Sequence, residues 1–189
     1  MNIEIINSFY EDIKNAKKNK KAFFYKNFIE FVPEWNSFMR CVFEEMSSEN
    51  IRSYDFNLDA GEFSIGNVIV TEHQYFSPQT LDYKKYFPEI IEFLKLVENF
   101  NMQITFVGAK IAVGPRVVNA HQDSWDGVSM QCVGTAIWTI KCNETGYEEK
   151  FKMNPGDLLY FPQECTHEII SDTARANLIF NIPPEHLLL

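Results

Sequence analysis

No apolar run in this chain is long enough to span a bilayer, and the N-terminus has no signal-peptide hydrophobic core. A membrane-embedded or exported protein is therefore not expected. Positive charge is in short supply. With 17 Lys and Arg against 26 Asp and Glu, the formal net charge is −9, which disfavours a sequence-independent nucleic-acid binder. Cys41, Cys132, Cys142 and Cys165 make no C-x-x-C pair and no zinc-finger spacing. They read as free thiols in a reducing cytoplasm. Internal repeats, low-complexity tracts and linkers are also missing.

What is present is a large apolar load. Hydrophobic residues make up 46% of 189 positions and aromatics 15%, with 17 Phe, enough to fill the core of one domain. Residues 3–20 place Ile3, Ile6, Phe9 and Ile13 near helical spacing. Lys14, Lys17, Lys18, Lys20 and Lys21 gather at its end, either a solvated terminus favoured by the helix dipole or a docking patch. A short strand is expected over 22–26. A helix is expected from Pro33-Glu34 to about Met46, with Trp35, Phe38, Met39 and Phe43 on one stripe. Strands are expected at 50–57 and 67–71, and a helix entered through Pro88 within 82–100, with Ile91, Phe93, Leu94 and Val97 apolar.

From Gln103 the pattern turns to short β-rich runs at 103–113, 116–121, 127–132, 135–142, 148–153, 157–161, 167–171 and 175–182. Gly114-Pro115, Asp126-Gly127, Asn143-Glu144-Thr145-Gly146 and Asn154-Pro155-Gly156 punctuate them. Many short strands so spaced give a sandwich or barrel. The fold expected is mainly β. It is a double-stranded β-helix, or jelly roll, with N-terminal helices on one outer face. One domain covers 1–189, with a helix-rich part at 1–102 and a jelly-roll core at 103–182.

Three residues carry candidate chemistry. His121 and Asp123 are two apart, so on a strand their side chains leave one face. His167 follows a turn and the apolar run Leu158 to Phe161. Two imidazoles and a carboxylate are the ligand set of a facial triad for non-haem iron(II). His73 and His186 lack such a context and read as core or surface residues. Trp125 reads equally as a lid residue or a core anchor, and Cys165 as a small core residue.

The chain resembles the cupin-like, Jumonji-C class of iron(II)/2-oxoglutarate oxygenases. The resemblance is strongest over 105–182 and rests on five features. These are His121-x-Asp123; Gln131 and Gly134, ten and thirteen residues after His121; Trp138; Gly156-Asp157-x-x-Tyr160-x-Pro162-x-x-x-x-His167; and Asn181 in the last strand. Upstream, Lys21 to Lys26 and Trp35 are similar to that class's entry strand and tryptophan. Gln131 and Asn181 match the asparaginyl-hydroxylase and ribosomal-oxygenase branch. The resemblance implies Fe(II) on His121, Asp123 and His167, 2-oxoglutarate as cosubstrate, and hydroxylation of a protein, peptide or small-molecule C–H. Asp123 sits where related halogenases lack a carboxylate.

One departure stands out. The lysine that binds the distal carboxylate of 2-oxoglutarate in relatives is Ala136 here. Arg175, eight residues after His167, is the expected substitute, with Gln131 and Asn181 also lining the cosubstrate pocket. Arg175, Asn177, Ile179 and Asn181 share one strand face. Lys110 and Arg116 are alternative cations. Without one, the chain would be a metal-binding cupin of sensory or non-oxidative role, or an interaction module with a vestigial site. Leu187-Leu188-Leu189 is either a frayed tail or a seat for a second copy in a homodimer.

Overall fold

Strands β1 (Phe23–Tyr25), β2 (Glu62–Gly66), β3 (Thr105–Ala112), β5 (Asp126–Val133), β8 (Leu158–Phe161) and β10 (Arg175–Ile182) form one antiparallel sheet in the order β1-β8-β5-β10-β3-β2. A second antiparallel sheet has the order β4-β9-β6-β7, from β4 (Arg116–His121), β6 (Ala136–Cys142), β7 (Tyr147–Met153) and β9 (Thr166–Ser171). The structure is a computed structural model that describes residues 3–47, 62–66, 83–99, 104–112 and 115–182. From β3 onward the chain crosses between the sheets at almost every connection, and only the β6–β7 hairpin stays within one. That alternation is a jelly roll.

All eight runs expected after residue 103 are strands, each within two residues of its expected ends. The expected strands at 50–57 and 67–71 lie outside the described residues, as do His73, His186 and the Leu187–Leu189 tail. Strand β2, between those two runs, was not anticipated.

Helices α1 (Ile3–Lys18), α2 (Trp35–Ser47), α3 (Tyr83–Tyr86) and α4 (Ile90–Asn99) complete the described elements. Phe9, Ile13, Phe38, Ile90 and Phe93 bury into one cluster with Val128, Met130, Leu178 and Phe180. The helices therefore cover the outer face of the larger sheet. Among the described side chains of α4, Ile90 and Phe93 are fully buried and Ile91 is half-buried. The other face looks between the sheets, onto Ala136, Trp138, Ile140, Met153, Leu159, Phe161 and Ile169. β1 splits the same way: Phe23 and Tyr25 pack on the helix side, Phe24 on the sandwich interior.

The lysine cluster after α1 is not a bare solvated end. Lys17 pairs with buried Asp126 of β5 at 3.2 Å, and Lys20 pairs with Glu144 in the β6–β7 turn. The four cysteines are buried free thiols. Cys165 is fully buried, and burial pushes its thiol up to about 12.

Two turns fix the strand ends around the interior. Gly156 sits at φ +93°, and a Cβ there would meet the Ile29 carbonyl at 2.7 Å. Asp157 beside it accepts from the Asn27 and Asn154 backbone N–H groups, both at 2.8 Å. The Gly156-Asp157 pair thus ties the turn before β8 to the segment after β1. Gly134, between β5 and β6, has φ +66°, and a Cβ would lie 2.1 Å from the Ala174 carbonyl. Only glycine lets this turn press against the start of β10, where Arg175 begins the strand.

Candidate metal centre and interior polar pocket

β4 pairs with β9 so that His121 stands opposite His167. The strand ends at His121, so Asp123 belongs to the following coil rather than to the strand. The expected same-strand geometry is replaced by an irregular segment, which still keeps the carboxylate near the Nε2 atoms of both rings. One ligating atom from each of His121, Asp123 and His167 lies within 4.8 Å of the others. His121 Nε2 is 3.8 Å from Asp123 Oδ1, and His167 Nε2 is 3.6 Å from Asp123 Oδ2. These separations exceed a hydrogen bond. They suit ligands grouped around one ion, since neighbouring ligands at about 2.0–2.2 Å from a metal sit about 3 Å apart.

The donor atoms are prepared for that role. His121 Nδ1–H donates to the Asn119 carbonyl at 2.9 Å, which leaves the Nε2 lone pair facing Asp123. His167 is buried on a bed of Phe161 and Trp138, with ring centroids 4.6 and 5.8 Å away. Burial outweighs the attraction of Asp123 and pushes its pKa down to about 4, with His121 adding to the fall. His167 is then a neutral ligand near pH 7. The side chains of His121 and Asp123 are 44% and 40% exposed, so the triad lies at a mouth of the sandwich with His167 as its floor.

Behind His167 the interior is polar. On β6, Ala136, Trp138 and Ile140 face inward while Ile137 faces out, as the strand parity requires. Thr139 shares the outward parity yet is buried, flanked by Lys150 on β7 and Glu168 on β9. Across the gap, Arg175 and Asn177 of β10 and Ser129 and Gln131 of β5 are all buried. They alternate with the helix-facing Ala176, Leu178, Met130 and Cys132, so they face the other sheet. Arg175 Nη1 donates to Asn177 Oδ1 at 2.6 Å. Gln131 Nε2 donates to the Val133 carbonyl at 2.8 Å and weakly to that of Gly134 at 3.3 Å. Gln131 therefore braces the β5–β6 turn. Its Oε1, Trp138 Nε1 and Ser171 Oγ are buried with no hydrogen-bond partner among the described residues. Unmet polar atoms on inward faces suit a polar ligand between the sheets.

Asn181 is half-buried near the end of β10, opposite Gly127 on β5. Lys110 and Arg116 are half-buried too, whereas Arg175 is 1% exposed, so the deepest cation is the one the sequence singled out. Trp125 is half-buried beside Asp126. Sequence reasoning did not single out the buried, inward-facing Ser129, for which the alternating strand gave only parity as a signal.

No protein-family model matches this chain, and neither does any curated protein. Solved structures do. A ribosomal oxygenase from Escherichia coli, YcfD, superposes with a TM-score of 0.58 at 14% identity, over 95% of this chain and 52% of that one. A second structure of it gives 0.55 at 14% identity, over 95% and 54%. The chain shares the jelly-roll fold of that oxygenase. It spans about half the length of those oxygenase chains. A cupin superfamily protein from Desulfitobacterium hafniense matches over 43% of this chain and 69% of its own, with 16% identity and a TM-score of 0.37. No helix among the described residues is long and apolar enough to cross a membrane.

Proposed function

We propose that this protein is an iron(II)- and 2-oxoglutarate-dependent dioxygenase that hydroxylates a C–H of a protein or peptide side chain, or of a small molecule. The observation that carries the reading is the meeting of His121, Asp123 and His167 at the mouth of a jelly roll whose interior holds the buried Arg175. When bound, iron(II) and 2-oxoglutarate would supply, with dioxygen as oxidant, an oxidative decarboxylation in which one oxygen atom enters succinate, the other enters the substrate C–H, and carbon dioxide is released.

The residues present fit both groups. Two neutral imidazoles and one carboxylate are the donor set that non-haem iron(II) takes while keeping open positions. Asp123 contributes one negative charge against the metal's two. The Asn119 carbonyl fixes the tautomer of His121. Trp138 and Phe161 shield the inner side of His167 from water. Ala136 leaves the β6 side of the interior without a charge, and Arg175 supplies a guanidinium fork from the β10 side. Gln131 and Asn181 would line the same pocket.

The decisive test is succinate release in the presence of Fe(II), oxygen and 2-oxoglutarate. Turnover by the wild type, uncoupled or with peptide, that disappears in Asp123→Ala supports the reading. A protein that binds metal yet neither binds nor consumes 2-oxoglutarate would instead be a metal-binding cupin.

A further inference from the structure

Arg175 does not reach the sandwich interior unsupported. Its Nη1 donates to Asn177 Oδ1 at 2.6 Å, and Asn177 Nδ2 donates to Ser129 Oγ at 3.1 Å. Arg175 and Asn177 are each 1% exposed and Ser129 0%. Arg175 and Asn177 are two apart on β10, and Asn177 lies opposite Gln131 on β5, one inward position from Ser129. The three polar groups therefore form a short row across two neighbouring strands.

The row has a direction. An amide can present either its oxygen or its NH2 group to a neighbour, and only the oxygen suits a guanidinium, which has donors alone. Arg175 therefore selects the orientation that turns Oδ1 toward it, and Ser129 Oγ, accepting from Nδ2, anchors the other end of that amide. Asn177 is also neutral. It restrains the fork without cancelling its positive charge, whereas an aspartate there would form a buried ion pair with the same guanidinium.

We propose that Ser129 and Asn177 are positioning residues that hold the Arg175 fork for the distal carboxylate of a 2-oxo diacid, an inference that rests on the reading of Arg175 given above. Their effect falls on recognition of that carboxylate and not on the metal or the rest of the fold.

The test is calorimetric titration of the full-length, Mn(II)-loaded protein with two probes, 2-oxoglutarate and 2-oxopentanoate. The second lacks the distal carboxylate and otherwise matches. Asn177→Ala and Ser129→Ala should each weaken 2-oxoglutarate by about three- to tenfold, the loss of one hydrogen bond's net contribution. The isosteric Asn177→Asp should weaken it by about tenfold or more, since its carboxylate competes for the fork. Binding of 2-oxopentanoate should change less than twofold in all three, and Ser129→Ala should add nothing in an Arg175→Ala background. Melting temperatures identify any variant that fails to fold, and Ser129→Ala and Asn177→Asp, the smallest changes, then decide. Equal weakening of both probes would mean a merely structural role and would overturn the proposal. Unchanged affinity in these variants, with Arg175→Ala still weakening the diacid, would overturn it while leaving the Arg175 reading intact. An unaffected Arg175→Ala would remove both.

Discussion

His121 and His167 face each other across the β4–β9 ladder with ring centroids 4.2 Å apart. A metal ion held by both rings is a clip between two neighbouring strands. Binding to the folded form alone must stabilise it by mass action. At a free metal concentration about 100-fold above Kd, the gain is about 2.7 kcal/mol. Thermal unfolding with and without Mn(II) or Zn(II) should show an upward shift in the wild type and none in His167→Ala.

Asp123→Ala separates chemistry from folding. The carboxylate is 40% exposed and lies in a coil, so its loss should alter metal-free stability by less than about 0.5 kcal/mol. Metal affinity should fall by more than about tenfold, and succinate release should stop. Metal content by mass spectrometry after dialysis checks the first effect, and turnover the second.

His167 sets a pH dependence for the metal-free protein. Its folded pKa is lowered to about 4 from an ordinary 6.5. Between these values the unfolded chain binds more protons, so stability falls as pH drops from about 6.5 toward about 4 and is flat above. The full span corresponds to at most about 3 kcal/mol. Urea midpoints at pH 7 and 5 should differ in the metal-free wild type, and the difference should shrink in His167→Gln.

The jelly-roll half was legible because its strands are short and most of the connections between them carry Gly, Pro or Asn, with alternation clear in β5 and β6 and a continuous apolar run in β8. β2 escaped although Glu62-Phe63-Ser64-Ile65 alternates between Gly61 and Gly66-Asn67, because it is only five residues long with two apolar positions, Phe63 and Ile65. The parity of Ala136, Trp138 and Ile140 was readable for the same reason that β10 was: alternation is local. The metal-site partners were readable as residue types only. Opposition of His121 and His167 depends on the register of two strands 45 or more residues apart, including a bulge between Val118 and His121. Local sequence does not encode that register. The burial of Arg175 was likewise undetermined by composition, which places arginine on the surface by default. It comes from the inward parity of Arg175 on β10, whose start packs closely against the Gly134 turn at the Ala174 carbonyl.

Gly134→Ala should therefore damage both stability and the interior pocket. The residue must keep φ near +66°, and its Cβ would press on the Ala174 carbonyl. A cost of about 1–3 kcal/mol from backbone strain is expected, with the steric clash adding to it. Denaturant midpoints give the first effect. Because the clash displaces the start of β10, 2-oxoglutarate should also bind more weakly than the stability loss alone explains, which titration below the unfolding transition checks.

Arg175 and Ala136 begin strands in opposite sheets and both turn inward. Packed sheets lie about 10 Å apart, so a long side chain from either one reaches the shared interior. If the cation is what the distal carboxylate requires, its strand of origin is secondary. Arg175→Ala should weaken 2-oxoglutarate by about one to two decades, the value of a hydrogen bond to a charged partner. Arg175→Lys should recover part of this, since the fork is lost but the charge remains. The swap Ala136→Lys with Arg175→Ala should also recover part, by supplying the cation from β6. Ala136→Lys alone should bind no better than wild type and should be less stable, because it crowds a second cation into an interior already holding one. Recovery in the double variant but not in Ala136→Lys alone is the pattern expected of interchangeable cations. Failure of both lysine variants, with the fold intact by melting temperature, would mean that bidentate geometry from β10, rather than charge, is what the pocket requires.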